Sequence, residues 1–196
     1  MRHAAAVVAA QFQRLIGDRG IPDSAMTVRA ATRGTRRSRF GTMRLLDRAH
    51  IVAGVTPKIL IAANAKGQAT LAWNSALPNR RDAVRTRRID RDGRILAPQN
   101  PGLTDIGDLA TRPDGSTVAV GQGAIVRIPG TPQNARQIIA TISTLAGVFQ
   151  TPELIALAPG GANTSLAINP RNGRPTVAWA GRDPSGVPSI LVAART

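Results

Sequence analysis

The sequence predicts an all-β protein that is built from repeated units of four short antiparallel strands. Three observations lead to this prediction. The phrase QATLAW, which ends at Trp73, recurs as RPTVAW, which ends at Trp179. Glycine and proline are frequent, at 19 and 14 residues, which favours turns over long helices. Aromatic residues make up only 3% of the chain, so the core has to be built from alanine, valine, leucine and isoleucine.

The similarity around the two tryptophans extends well beyond six residues. The matched pairs are Phe40 with Phe149, Leu46 with Ile155, Gly67 with Gly173, and Val84 with Ile190. A weaker copy, DLATRPDGSTVAVGQG, lies between the two and places Val120 at the position of the tryptophans. We expect the tryptophans to fill space in the core, and a ligand-binding platform is the alternative.

A second recurring phrase gives the length of the repeat. It begins at Val28, Val84, Ile138 and Ile190, at intervals of 56, 54 and 52 residues. A unit of about 54 residues is close to the length of a four-stranded propeller blade. After an N-terminal segment, 1–25, with a partial repeat strand, we therefore expect a repeat domain over 26–196. Its predicted parts are units at about 28–83, 84–137 and 138–189 and a closing strand at 190–196.

Each unit is expected to contain four strands in a fixed order. The first strand is of the VRAATR type, and the second runs through TMRLL or TPELIAL. The third is ILIAA or SLAIN, and the fourth is ATLAW, STVAV or PTVAW. The third and fourth strands are joined by NAKGQ, RPDGS or NPRNGR. Asn, Asp and Gly between two apolar runs predict a hairpin, because glycine adopts a positive φ without steric cost.

The pattern F-x-x-P-x-L … LA-x-N-x-x-G-x-x-x-VAW … V-x-A-A-x-R resembles β-propeller-like repeats of secreted or cell-surface proteins from high-GC bacteria, over residues 26–196. The resemblance implies a propeller-like array and an extracellular or cell-surface location, and it implies no catalytic residue. Closed propellers have about four to eight blades, whereas about three units and a partial one are visible. We therefore expect a fragment of a longer array, and an open array or a degenerate blade are the alternatives. The start MRHAAAVVAAQFQ lacks a clear signal-peptide cleavage pattern, and no window is long enough to span a membrane.

Catalytic and metal sites find no support in the sequence. The chain has no cysteine and no tyrosine, which excludes thiolate ligands and the tyrosine nucleophile of sialidases. Glu153 is the one glutamate, so a pair of glutamates for glycoside hydrolysis is excluded. Asp90 and Asp92 stand in IDRDGR, which is typical of a turn and lacks the downstream acidic ligand of a calcium loop. His3 and His50 accompany no hydroxyl nucleophile. We predict no catalytic residue, no metal ligand and no cofactor.

The net charge of +15 is concentrated in the first half of the chain. Residues 1–98 carry +13 and residues 99–196 carry +2. Arginine is dense in two runs, 29–44 and 80–94, at equivalent places in consecutive units, so a continuous basic stripe is predicted. The candidate contacts to a polyanion are Arg29, Arg33, Arg36, Arg37, Arg87 and Arg88.

Two other interpretations of the arginines stay open. Positive charge on a solvated edge discourages aggregation between sheets, and GC-rich codons favour arginine. Neither an aromatic stacking platform nor a nucleic-acid motif accompanies the runs. We expect a non-enzymatic scaffold or binding module that binds acidic polysaccharide or another polyanion weakly. Other repeats of a longer chain are the second expected partner. The alternative function is a fragment of a propeller-type hydrolase or lyase with its catalytic residues outside this chain.

Overall fold

The computed structural model describes residues 7–14, 24–33, 41–51, 58–76, 82–128, 134–159, 163–182 and 185–195. Every regular element in these ranges is a β-strand, which confirms the all-β prediction. Within the same ranges, no helix has the length and apolar character needed to cross a membrane. The chain divides into two compact units, Met1–Asn100 and Pro101–Thr196.

In the described part of the first unit, six strands form one antiparallel sheet. They are β1 (Val7–Arg14), β2 (Ser24–Arg33), β3 (Arg44–Ile51), β4 (Ile59–Ala63), β5 (Ala69–Ala76) and β6 (Asp82–Ile89). Strands β1 to β3 form one meander and β4 to β6 another, and the pair of His50 with Ala76 joins β3 to β5. Two bridges, Thr86 with Gln99 and Ile89 with Ile95, place residues 95–99 beside β6.

The described residues of the second unit form seven strands in two antiparallel sheets. They are β7 (Asp105–Thr111), β8 (Thr117–Arg127), β9 (Asn134–Ile142), β10 (Glu153–Pro159), β11 (Thr164–Ile168), β12 (Pro175–Arg182) and β13 (Pro188–Ala194). Strands β7 to β10 form a four-stranded meander, and β11 to β13 form a three-stranded one. Four meanders are thus visible in the ranges that the structure describes.

The predicted strand types recur in these meanders, but the sheets do not begin where the predicted units begin. A sheet combines the third and fourth strands of one unit with the first and second strands of the next. In the second unit, β7 and β8 are of the third and fourth type, and β9 and β10 are of the first and second type. The tight hairpin keeps the third and fourth strands adjacent, and each fourth strand then pairs with the first strand of the next unit: β5 with β6, β8 with β9 and β12 with β13.

The three predicted hairpins between third and fourth strands are confirmed. Gly67, Gly115 and Gly173 occupy the turns with φ of 79°, 100° and 71°, and the flanking strands pair antiparallel. Side chains complete the turns: the Oδ1 atom of Asn64 accepts the N–H of Gln68 at 3.0 Å, and that of Asp114 accepts the N–H of Ser116 at 2.8 Å. Positive φ explains why glycine stands at all three positions.

The middle hairpin corrects the alignment of the repeated phrases, which matched Val120 with the two tryptophans. Trp73 and Trp179 each follow the turn glycine by six residues, and in the middle copy the sixth residue is Gly121. A Cβ atom on Gly121 would collide with the carbonyl oxygen of Asp105 in the neighbouring strand. The backbone of β7 therefore leaves no room for any side chain at this position, and the indole is absent from this copy for that reason.

A β-bulge recurs at matched positions of the two units. In β3 the bulge falls at Leu46, and in β10 it falls at Ile155, which are the two residues that sequence comparison aligned. The flanking pairs are Val28 with Asp47 and Arg29 with Leu45 in the first unit, and Ile138 with Ala156 and Ile139 with Leu154 in the second. A bulge bends its strand and redirects a side chain, and here it turns an apolar residue toward the core.

The cores of the two units are built from equivalent residues. In each unit, an apolar face that includes the bulge residue packs against a tryptophan on a fourth-type strand. The packed residues include Val28, Leu46, Leu71 and Trp73 in the first unit and Ile138, Ile155, Val177 and Trp179 in the second. This shared packing explains why the two tryptophan phrases are so similar. Phe149 is half-buried, and its predicted counterpart Phe40 lies outside the described residues.

Candidate functional site

The two arginine runs meet in the first unit. An Nη1 atom of Arg44, at the start of β3, donates a hydrogen bond to the carbonyl oxygen of Gly93 at 3.2 Å. Gly93 lies in the turn that follows β6, 49 residues further along the chain. Since Arg44 belongs to the first run and Gly93 to the second, this bond brings the two runs together on one surface. The exposed arginines at this bond are Arg44, Arg91 and Arg94, and we call them the basic surface. Arg29 and Arg48 are also exposed. They project from the opposite face of the sheet, because Arg29 pairs with Leu45 whereas Arg44 pairs with Ala30.

The β6 part of the second run is engaged with the protein itself. The Nη1 atom of Arg85 lies 2.9 Å from a carboxylate oxygen of Asp47. The Nη1 atom of Arg87 donates to the carbonyl oxygen of Leu96 at 3.3 Å, and only 8% of Arg88 is exposed. Among the predicted polyanion contacts, Arg87 and Arg88 are therefore poorly placed to touch a ligand.

Arg29 is the predicted contact that the structure describes as exposed. Arg33 lies in β2, and its side chain is outside the described part of the chain. Arg36 and Arg37 lie wholly outside the described residues. The exposed Arg48, Arg91 and Arg94 were not among the predicted contacts. The turn after β6 is the signal that places Arg91 and Arg94 at the surface. Alternation gives no such signal for Arg48, because the bulge at Leu46 interrupts it in β3.

Asp47 holds the two halves of the first unit together. Its carboxylate accepts the indole N–H of Trp73 at 3.2 Å and the guanidinium of Arg85 at 2.9 Å. Trp73 is fully buried, so its ring serves packing. The pairing also neutralises the carboxylate, which leaves the basic surface with one fewer competing negative charge.

Asp90 and Asp92 lie in a hydrogen-bonded turn. The Oδ1 atom of Asp90 accepts the N–H groups of Asp92 at 3.0 Å and Arg94 at 2.8 Å, and Gly93 has a φ of 79°. The carboxylate of Asp90 thus has a structural role that the turn interpretation of IDRDGR predicts. Among the described residues, no three histidine, cysteine or acidic side chains come together as a group that could hold a metal ion.

A cleft of about 320 Å³ opens in the second unit, between the sheet of β7–β10 and the sheet of β11–β13. Its floor is apolar and contains Val118, Ala140, Ile155, Val177 and Ala193. Its rim is polar and contains Gln150, Thr151, Glu153 and Arg195. Volumes of roughly 300–1,000 Å³ with an apolar lining and a few polar groups are typical of small-ligand sites.

The rim of the cleft carries one acidic and one basic side chain. An Nη2 atom of Arg195 lies 3.8 Å from an Oε2 atom of Glu153, and both side chains are more than half exposed. The backbone N–H of Arg195 donates to the carbonyl oxygen of Pro175 at 3.2 Å, which fixes the chain at this point. Because the pair is long and solvated, each charge stays accessible to a ligand.

No protein-family model matches the chain, and no curated protein matches it. The function therefore has to be inferred from the geometry and charge of the described residues.

Proposed function

We propose that the protein is a non-enzymatic β-repeat binding module whose first unit binds polyanions, such as acidic polysaccharides, through its basic surface. The bond between Arg44 and Gly93 is the observation that supports this proposal, because it joins two arginine runs that are far apart in sequence. Binding of this kind is electrostatic and needs no recognition of bases. It is therefore weak, sensitive to salt and indifferent to the sequence of a nucleic acid.

The propeller-like arrangement and the location are parts of the same proposal. Four meanders with recurring strand types, turns and bulges support a propeller-like array. A location outside the cell or at the cell surface rests on the sequence resemblance alone. A module of this kind presents side chains on a rigid scaffold and requires no reacting group.

The basic surface is tested by removing its three exposed arginines at once, with Arg44, Arg91 and Arg94 replaced by serine. The matched control replaces three exposed arginines of the second unit, Arg127, Arg171 and Arg182. Both variants lose the same charge, so total charge affects them equally. We expect the first variant to elute from a heparin column at a clearly lower salt concentration than the control, because counterion release follows the number of local contacts. Elution of both variants at the same salt concentration would contradict the proposal.

The cleft of the second unit supports a second candidate, the binding of a small ligand with an apolar body and a zwitterionic head. Its apolar floor suits the body, and Glu153 and Arg195 offer one charge of each sign at the rim. An ammonium group would pair with Glu153 and a carboxylate with Arg195. A ligand with only one charge would be attracted by one rim residue and repelled by the other.

Leucine, isoamylamine and isocaproate are suitable probes, since they share an apolar body and differ in the head group. We expect leucine to bind at least about tenfold more tightly than either analogue by titration calorimetry, which equals about 1.4 kcal/mol. The Glu153→Gln and Arg195→Gln variants should each remove this preference, and Arg174→Gln, outside the cleft, should keep it. Equal affinity for the three probes, or no binding of leucine, would exclude this candidate without affecting the polyanion proposal.

A further inference from the structure

The turn between β11 and β12 contains the one Asn-Gly pair of the chain, Asn172 and Gly173. Glycine has no β-carbon, so the peptide nitrogen that follows Asn172 is not shielded by a side chain of its own residue. Such a nitrogen can attack the side-chain carbonyl carbon of the asparagine, which is the first step of isoaspartate formation. The Oδ1 atom of Asn172 accepts the N–H of Arg174 at 3.0 Å, which keeps the side-chain carbonyl folded back over the Gly173 peptide.

The Gly173 peptide is protected in the folded protein. Gly173 is buried, although Asn172 beside it is exposed. The N–H of Gly173 donates to the carbonyl oxygen of Asn169 at 2.8 Å. The carbonyl oxygen of Gly173 accepts a hydrogen bond from Nε of Arg112, also at 2.8 Å. We call this second bond the Arg112 clasp, and it joins two hairpins that are 61 residues apart in the sequence.

Arg112 is held in place by its own hairpin, between β7 and β8. Its Nη1 atom lies 3.4 Å from a carboxylate oxygen of Asp114, and only 27% of its side chain is exposed. The same Nη1 atom lies 3.5 Å from the hydroxyl oxygen of Ser116. A Cβ atom at Gly173 would be 3.2 Å from Nε of Arg112. The guanidinium is therefore fixed directly over the glycine whose nitrogen would react.

We propose that Asn172 is a site of spontaneous isoaspartate formation and that the Arg112 clasp guards it. When the clasp and the bond to Asn169 open, hydroxide removes the proton of the Gly173 amide, and the nitrogen attacks Cγ of Asn172. A Cγ–N bond forms and the Cγ–Nδ2 bond breaks. The side-chain nitrogen takes a proton from water and leaves as ammonia. Water then adds to either carbonyl of the cyclic imide, which gives aspartate or isoaspartate.

The chemistry is specific to this turn. In the two matching hairpins, the residue before the turn glycine is Lys66 or Asp114. A lysine side chain has no carbonyl carbon, and an ionised carboxylate resists attack by a nucleophile. Asn169 lies in the same turn as Asn172 but is followed by Pro170, which has no N–H to lose.

Isoaspartate formation makes the opening of the clasp permanent. It inserts the β-carbon of residue 172 into the main chain and so displaces the carbonyl oxygen of Gly173 from Nε of Arg112. The clasp then cannot re-form, and the two hairpins lose the contact that it supplies. This modification involves only the second unit and is independent of polyanion binding by the first.

Peptide mapping by mass spectrometry, on protein kept at mildly alkaline pH, measures the conversion of each asparagine. We expect Arg112→Gln to accelerate conversion of Asn172 at least about tenfold, because the population of the open turn sets the rate. Arg171→Gln is the matched control, since it removes the same charge from an exposed position in the same turn. It is expected to convert at the wild-type rate. Equal rates in the two variants, with the fold verified by circular dichroism, would overturn the guarding role.

Wild-type protein tests the site without any substitution. In urea that unfolds the chain, we expect Asn172 to convert at least about tenfold faster than in the folded protein. Asn163 is the internal control, because it is exposed in the fold and the side chain of Thr164 shields the following nitrogen. Conversion of Asn172 no faster than that of Asn163 in urea would exclude the site. Conversion that unfolding leaves unchanged would exclude the guard.

The consequence for the clasp is measured on the isoaspartate form, purified by ion exchange and refolded. Its urea midpoint is compared with that of Asn172→Asp, which has the same charge and an ordinary main chain. We expect a lower midpoint for the isoaspartate form, and we expect Arg112→Gln to abolish the difference, because the clasp is then absent from both proteins. Identical midpoints for the two forms in the presence of Arg112 would contradict the proposed loss of the clasp.

Discussion

Replacement of Trp73 by alanine is expected to lower the free energy of unfolding by about 3–5 kcal/mol, the range for deletion of a large buried aromatic side chain. The indole is fully buried and packs with Val28, Leu46 and Leu71. Its removal leaves a cavity and also deprives the Asp47 carboxylate of the indole N–H at 3.2 Å. The two losses affect the same region, so both contribute to the measured change.

Urea denaturation followed by circular dichroism measures this change. Leu145→Ala is the control, because Leu145 is 62% exposed and its truncation is expected to change stability by less than about 0.5 kcal/mol. Asp47→Asn keeps an acceptor for the indole and removes the charge that pairs with Arg85. Asp47→Asn is expected to lower the free energy of unfolding by less than Trp73→Ala does. A loss of less than about 1 kcal/mol for Trp73→Ala would contradict the described core.

The substitution Gly121→Ala is expected to lower the free energy of unfolding by roughly 3 kcal/mol, near the upper end of the usual range for overpacking. Its Cβ atom would collide with the carbonyl oxygen of Asp105, a backbone atom of the paired strand β7. The backbone nitrogen of Gly107 lies 3.0 Å from the same position. Because backbone atoms in a sheet cannot rotate away, the strand itself would have to move.

Gly123→Ala is the matched control for this substitution, two residues further along β8. A Cβ atom there would meet Gln137 Oε1 and Ile139 Cδ1, each at 2.9 Å. Both atoms are the ends of flexible side chains, which can adopt other rotamers. We expect Gly123→Ala to cost about 1 kcal/mol or less, measured in the same urea titrations. Equal losses for the two variants would mean that β7 does not approach Gly121 as closely as described.

The strands and hairpins could be predicted because their signals are local. The third strand ILIAA was predicted at the same residues that β4 occupies, Ile59–Ala63, since an apolar run and a turn glycine delimit it. The Val120 alignment slipped by one residue because TVAV resembles TLAW in composition. The spacing of six residues from the turn glycine places Gly121 at the position of the tryptophans. The approach of the β7 backbone is the physical reason that no side chain stands there.

The candidate sites were harder to predict because they depend on contacts between distant segments. The two arginine runs predicted a continuous basic stripe, yet Arg88 on β6 is only 8% exposed. The meeting of Arg44 with Gly93 joins residues 49 positions apart. The cleft is lined from five strands and adjacent segments, and Glu153 and Arg195 meet only when β10 and β13 are in place. A pattern within one segment of the sequence cannot predict contacts between residues that are far apart in the chain.

The placement of one tryptophan in each compact unit has an optical consequence. Trp73 belongs to the first unit and Trp179 to the second, and the chain contains no tyrosine. Intrinsic fluorescence therefore arises from two indoles, one for each unit. A Trp179→Phe variant emits from the first unit alone, and a Trp73→Phe variant emits from the second. The fold thus carries two separate spectroscopic reporters, through which the loss of structure in each half of the chain can be followed without any added label.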